Sequence, residues 1–280
     1  MAPPIRIGVV APGGRIEPAL AERVKAFAAD TFLDQAPEIV FHPQCFLNAG
    51  HFAGDDEARL NAFVAFANDP AFDAIWFARG GYGACRIAEA ALAQLNEAAR
   101  KKTYLGYSDN GAILGGLYAR RYAHVAHGPI PVDMSRAGGE AAIKRALAWL
   151  IERAPESVEL GLMFDSKAAA FNITVFQSLL GTSLEPDLSG HVLMLEDVGE
   201  YLYRLDRALF QITSSANVRS VKGIKLGRIL DVPENDRPFG ATAEEMMRYW
   251  CAKAGIAYLG RADIGHDVEN KVVPFGATRA

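Results

Sequence analysis

Short apolar runs alternate with amphipathic stretches through the first half of the chain. Ile5-Arg6-Ile7-Gly8-Val9-Val10 reads as a buried strand closed by the turn Pro12-Gly13-Gly14. Leu20, Val24, Phe27 and Ala28 then recur at helical spacing. Glu38–Phe41, Ala74–Phe77 and Thr103–Tyr107 read as further strands, and Asp55-Asp56-Glu57 supplies the acidic start of a helix carrying Leu60, Phe63, Val64 and Ala67. Strand–helix alternation of this kind predicts an α/β domain whose parallel sheet is covered on both faces. Ligands in such folds sit at the carboxyl ends of the strands, so the turns after Val10, Phe77 and Tyr107 are the places to expect chemistry.

A helix over Gly139–Arg153 leads into Ala154-Pro155-Glu156-Ser157, which reads as a linker. Beyond it the pattern predicts a strand at Val158–Met163, a helical run at Ile173–Leu180 and a strand at His191–Leu195. A helix at Leu202–Ile212, a strand at Val221–Leu230, a helix at Ala243–Ala254 and short closing strands follow. The expected organisation is an N-terminal α/β domain over residues 1–155 and a smaller C-terminal α/β domain over 156–280.

Composition narrows the function classes. With 280 residues, 50% apolar and 22% charged, the chain can bury a large core and is not disordered as a whole. A formal net charge of −4 argues against nucleic acid or an anionic membrane surface as the main partner. No apolar run approaches the roughly 18–20 residues that span a bilayer. Met1–Arg6 lacks the charged start and apolar stretch of a signal peptide, so a cytoplasmic setting is expected. Cys45, Cys85 and Cys251 are three and far apart, which offers neither a disulfide framework nor a metal knuckle; no metal is expected.

Three stretches could carry chemistry. In Gly106-Tyr107-Ser108-Asp109-Asn110-Gly111 a serine follows a strand at once and precedes a helix, the geometry of a nucleophile elbow. The following glycine comes one residue later than in the common G-x-S-x-G form, and either Ser108 or Asp109 could equally cap the helix. Ala78-Arg79-Gly80-Gly81-Tyr82-Gly83 lies between a strand and a helix, and its glycines let backbone N–H groups approach an anion, as an oxyanion hole or a phosphate cradle. No Lys-Ser/Thr follows to support the cradle, and Pro12-Gly13-Gly14 reads as turn chemistry alone. In Leu195-Glu196-Asp197-Val198-Gly199-Glu200 acids end an apolar strand, where they can orient a histidine. Asp197 and Glu200 could instead start the next helix and pair with Arg204 or Arg207. Of six histidines, His266 lies in the loop Ile264-Gly265-His266-Asp267. Ser108, Glu196 and His266 thus run in the chain order that α/β-hydrolases use, although a triad is defined by geometry and not by order.

At these motifs the chain resembles the LD-carboxypeptidases (muramoyltetrapeptide carboxypeptidases), a serine peptidase family that includes the microcin C self-immunity peptidases. The resemblance covers nearly the full length. It rests on Arg79-Gly80-Gly81-Tyr82-Gly83, Gly106-Tyr107-Ser108-Asp109, His127-Gly128-Pro129, Leu195-Glu196-Asp197 with Tyr203-Arg204-Leu205-Asp206-Arg207, and Gly265-His266. It implies a flavodoxin-like or Rossmann-like N-terminal layer, a C-terminal α/β domain with a swivelled sheet, a homodimer, and no metal or organic cofactor. It implies hydrolysis of the L,D bond to the terminal D-alanine of cytosolic murein tetrapeptides. Ser108 would be the nucleophile, Glu196 the triad acid and His266 the general base, with the amides of Gly81 and Asp109 as oxyanion hole. The leaving amino acid carries a carboxylate, for which Arg79 and Arg204 are candidate cations. Asn172 is a further candidate substrate contact. The family's usual Gly-Gly-Asn is Ala170-Phe171-Asn172 here, where Phe171 is expected to crowd the substrate side, and Asn110 replaces a usual aliphatic residue. Two other functions fit the same resemblance: an amidase acting on microcin-type aminoacyl or peptidyl nucleotides, and a non-catalytic sensor of murein fragments.

Overall fold

The apolar runs of the first half become strands buried on both faces, except the edge strand Glu38–Phe41, which buries one face only. A computed structural model describes residues 3–160 and 166–277. Its first half contains β1 (Arg6–Val10), α1 (Pro18–Phe32), β2 (Glu38–Phe41), α2 (Asp56–Asn68), β3 (Ala74–Phe77) and α3 (Ala84–Leu92). Then come α4 (Glu97–Arg100), β4 (Thr103–Gly106), α5 (Gly111–Ala119), β5 (Val125–His127) and α6 (Gly139–Glu152). Every residue of β3 and β4 is buried, as a parallel sheet covered by helices requires. Local chemistry starts the helices: Pro18 opens α1, and the Asp55 carboxylate accepts from Ala58 N–H at 2.8 Å to cap α2.

The second half contains β6 (Lys167–Asn172), α7 (Ile173–Leu179), β7 (Val192–Val198), α8 (Leu202–Ser214) and β8 (Gly223–Leu230). It closes with α9 (Ala243–Ala254), β9 (Tyr258–Arg261), β10 (Val273–Pro274) and β11 (Gly276–Ala277). Thr242 and Glu245 form a reciprocal capping box at the start of α9, and Gly255 ends it in the left-handed region at φ 71°.

The strands form two mostly parallel sheets, in the orders β10-β5-β4-β3-β1-β2 and β11-β6-β7-β8-β9. Parallel strands 2-1-3-4-5 in the first sheet are the flavodoxin-like order, which reverses direction between β1 and β3. A crevice opens at that reversal, and the loops after β1 and β3 line it.

The two halves share a core. Ile113 and Leu117 of α5 belong to one continuous apolar cluster with Phe171, Phe176 and Leu193. The chain's return path joins the sheets as well: β10 runs antiparallel to β5 of the first, and β11 antiparallel to β6 of the second.

Three expectations need correction. The strand expected at Val158–Met163 is reduced, within the described residues, to a single bridge between Val158 and Val272; residues 161–163 lie outside them. The expected linker is packed, with Ala154 and Ser157 buried around one 3₁₀ turn. Phe171 does not crowd a substrate. It is buried and stacks on Phe176 (ring centroids 4.9 Å apart) and against Phe275 (5.1 Å), because strand alternation sends it into the shared core. Ala170 takes the opposite face, in a cluster with Ile264 of the loop before His266. Among the described residues, no helix is long and apolar enough to cross a membrane.

Candidate active site

Two loops and a sharp turn meet at the carboxyl ends of β1, β3 and β4. Ser108 follows β4 by two residues and adopts φ +60°, a left-handed conformation that costs a non-glycine residue about 1–2 kcal/mol. The turn leads at once into α5, which gives the strand–elbow–helix geometry that projects a nucleophile. The chain passing Ser108 is Gly80. A Cβ on Gly80 would lie 2.8 Å from Ser108 Cβ and 2.9 Å from Oγ, so only glycine fits. Gly81 follows at φ +89°, and its N–H has no acceptor among the described residues.

Side chains lock these loops together. Asn110 Nδ2 donates to Arg79 O at 3.2 Å and to Tyr107 O at 3.0 Å, tying the elbow to the glycine loop. Arg59, fully buried on α2, donates from Nη1 to Gly83 O at 2.9 Å and also to Pro12 O. Gly14 N–H makes a long bond, 3.4 Å, to Gly80 O. Pro12-Gly13-Gly14 is therefore more than a turn, since it buttresses the glycine loop. A bare Arg in an amphipathic helix gave no sign of this, because its partners lie 24 and 47 residues away.

The acid and the base come from the second sheet. Glu196 is on β7, fully buried, and His266 is in the loop between β9 and β10. His266 Nδ1–H donates to Glu196 Oε2 at 2.6 Å, which leaves the Nε2 lone pair as the basic site. Nε2 itself is buried and has no hydrogen-bond partner among the described residues. Burial alone would hold the imidazole neutral, yet the Glu196 carboxylate overrides it and raises its pKa above the ordinary histidine value. Burial pushes the Glu196 carboxyl up in turn, with His266 pulling against that rise.

The imidazole stands beside the elbow: its ring centroid lies 4.8 Å from that of Tyr107, the residue before Ser108. The structure thus joins Glu196 to His266, but Ser108 and His266 are not hydrogen-bonded to each other. Asp109 is also close, since His266 and His51 help to counter the burial that pushes its carboxyl up, as does its own backbone N–H.

The candidate substrate contacts stand differently. Arg79 is exposed; its Nη1 donates to Arg15 O at 3.1 Å, and it lines a cleft of about 390 Å³ with Arg15 and Arg23. Arg204 pairs with Glu200 at 3.0 Å. Asn172 is turned inward, capping α7 by accepting from Val175 N–H at 3.0 Å and donating to Asp197 at 2.8 Å. Asp197 does not start α8, one of the two roles its place in the sequence allows. It lies in β7 and accepts from Thr174 N–H and Oγ1–H at the start of α7. Among the described residues, no group of three or more His, Cys, Asp or Glu gathers as metal ligands would.

A strained serine at a β4–α5 elbow, a glycine loop with an unused N–H, and a carboxylate-bound histidine define a hydrolase-like site on an α/β scaffold. The chain belongs to the LD-carboxypeptidase family: residues 7–128 match its N-terminal domain and 167–280 its C-terminal domain. It is 31% identical to a carboxypeptidase-like protein of Synechocystis sp., over 99% of this chain and 91% of that one. It is 27% identical to a murein tetrapeptide carboxypeptidase of Pseudomonas aeruginosa, over 81% and 78%. Solved structures share the fold at lower identity. A muramoyltetrapeptide carboxypeptidase from Oxalobacter formigenes superposes with TM-score 0.77 at 21% identity, covering 98% and 96% of the two chains. The microcin C7 self-immunity protein MccF, in complex with aspartyl sulfamoyl adenosine, gives 0.78 at 17%, covering 99% and 92%.

Proposed function

We propose that the protein is a serine carboxypeptidase that hydrolyses the L,D bond to a terminal D-alanine in murein tetrapeptides, with Ser108, His266 and Glu196 as its triad. The observation that carries this reading is the Glu196–His266 pair at 2.6 Å, whose Nε2 has no partner among the described residues and whose ring lies 4.8 Å from that of Tyr107, the residue before the strained Ser108. The substrate class follows the names of its relatives.

The chemistry proceeds by acyl transfer. Ser108 Oγ attacks the scissile carbonyl carbon as His266 Nε2 takes its proton. Substrate binding closes the Ser108–His266 gap, since catalytic hydrogen bonds commonly tighten only in the complex. Glu196 holds the Nδ1–H tautomer and stabilises the imidazolium. The carbonyl oxygen becomes an oxyanion facing the N–H groups of Gly81 and Asp109, each worth about 3 kcal/mol in the transition state. Collapse breaks the C–N bond, and His266 returns its proton to the departing D-alanine amine. Water, deprotonated by the same histidine, then releases the acyl group. Arg79 is the better placed cation for the product carboxylate, because Glu200 already neutralises Arg204. A cytoplasmic homodimer working without metal or organic cofactor completes the proposal.

The test is release of free D-alanine from murein tetrapeptide by the wild type and by Ser108→Ala, with labelling of Ser108 by a fluorophosphonate. Turnover that survives Ser108→Ala overturns the mechanism. Hydrolysis of an aminoacyl-sulfamoyl nucleotide without release of D-alanine transfers the assignment to the nucleotide amidase. An unlabelled serine with neither activity leaves the fragment sensor.

A further inference from the structure

A catalytic side chain on a loop reaches strand-like precision only if the loop is held at several points. Residues 262–272, which carry His266, are held on every side. At the base, Ala262 N–H donates to Leu226 O at 2.9 Å and Lys271 N–H to Asp263 O at 3.0 Å, closing the loop on itself. On one flank, Arg228 of β8 donates from Nε and Nη2 to Asp267 at 2.5 and 2.8 Å, and from Nη1 to Asp263 at 2.5 Å. Its backbone N–H also donates to Ile264 O at 2.8 Å.

The other flank is held by Asn270, which is fully buried. Its Oδ1 accepts from Gly265 N–H at 3.2 Å and from His127 Nε2–H of β5 at 3.1 Å. Gly265 can only donate, so Oδ1 must face it, and this fixes His127 as the second donor. Arg145 of α6 completes the hold by donating to Val268 O and Asn270 O at 2.8 and 2.9 Å.

We propose that Arg228 and Asn270 are positioning residues for the general base: Arg228 grips the carboxylates on either side of His266, Asn270 grips the peptide before it, and together they hold the imidazole against Glu196. The inference rests on His266 being that base. Arg228 is not a spare cation for substrate, because Nε, Nη1 and Nη2 are all spent on the loop. Its side chain is 23% exposed, so these pairs are better shielded from water than ordinary surface pairs. It also stands on the strand beside β7, so acid and clamp are registered to one sheet. Asn270 does the same work from the first sheet, through His127 on the strand next to β4 and its serine elbow. The base is thereby referenced to both sheets at once.

The readout is the proton of the 2.6 Å Nδ1–Oε2 hydrogen bond, observed as a far-downfield resonance in the full-length protein, together with kcat and KM for D-alanine release. In Arg228→Gln and in Asn270→Ala the resonance broadens or disappears. In both, kcat falls by about 10²-fold while KM moves by less than ~3-fold, the split expected when the base is displaced and binding is not. Arg228→Lys, with one point charge in place of the fork, recovers only part of kcat. Asp267→Asn keeps side-chain volume and weakens the same grip, so it carries the test if Arg228→Gln does not fold. A resonance retained in all these variants overturns the inference, whatever kcat does. If the resonance is lost but His266→Ala keeps wild-type turnover, the positioning role stands and the general-base reading falls.

Discussion

Asn110 Nδ2 donates to the backbone carbonyl of Arg79 at 3.2 Å, joining the serine turn after β4 to the glycine loop after β3. The same group donates to Tyr107 O, so one amide spans the elbow and the strand-end beside it. Nucleophile and oxyanion donor lie on different loops, and their spacing depends on this bridge.

Asn110→Ala should therefore loosen the spacing without touching the triad. The expected result is a kcat lower by about 10-fold and a folding stability lower by about 1–3 kcal/mol, from one buried and one part-buried hydrogen bond lost. Steady-state kinetics and urea unfolding on the same preparation check both.

Gly80→Ala is expected to be more damaging to rate than to fold. The new Cβ would meet Ser108 Cβ at 2.8 Å, and neither atom sits at the end of a flexible chain. Displacing Oγ by even part of an ångström should reduce kcat by about 10²-fold. A thermal midpoint near wild type together with that loss is the expected pair of observations.

Ser108→Ala, His266→Ala and Glu196→Gln should each lower kcat by about 10⁴-fold or more, and the triple variant should be scarcely worse than the serine change alone. Residues that act as one unit do not contribute additively. Additive losses across the set would mean that they act separately.

The pH profile follows from the charge on His266. The base must be neutral at Nε2 to accept the serine proton, and Glu196 raises the imidazole pKa above the usual value. The acid limb of kcat/KM should consequently lie above the ordinary histidine range and activity should climb through it. Glu196→Gln removes the stabilising charge, so the residual activity should have its acid limb displaced downward. Rate measurements from pH 5 to 9 give both limbs.

His127 supplies a stability prediction of its own. Burial holds its pKa down to about 3, well below the ordinary histidine value of 6.5. The unfolded chain binds a proton on this group over that interval while the folded chain does not. Stability therefore rises with pH across it and is lost on acidification, by at most about 1.4 kcal/mol per pH unit. His127→Gln should flatten that slope in unfolding titrations between pH 3.5 and 6.5.

Much of the scaffold was legible because parallel strands buried on both faces leave continuous apolar runs. Glu38–Phe41, Ala74–Phe77 and Ala243–Ala254 coincide with their elements at both ends. β6 was not legible, since Ala168-Ala169-Ala170 favours helix; pairing between β7 and β11 overrides that preference. Ser108, Glu196 and His266 stood out as polar residues at strand ends or in a loop. Their supports did not. Arg228 finds its carboxylates 35 and 39 residues away, and Arg59 looks like a solvated helix residue although it is fully buried. Such partnerships are made by the fold and have no local signature.

The antiparallel pairing of Val273 with His127 means that the first sheet borrows its outer strand from the far half of the polypeptide. The halves are consequently not interchangeable modules. A gene fragment ending after α6 would encode a sheet with β5 bare along one side, an invitation to strand exchange between molecules. Recombination among relatives would have to carry the Val273–Pro274 strand together with the sheet it completes. Selection should then act on the two halves as a single inherited block.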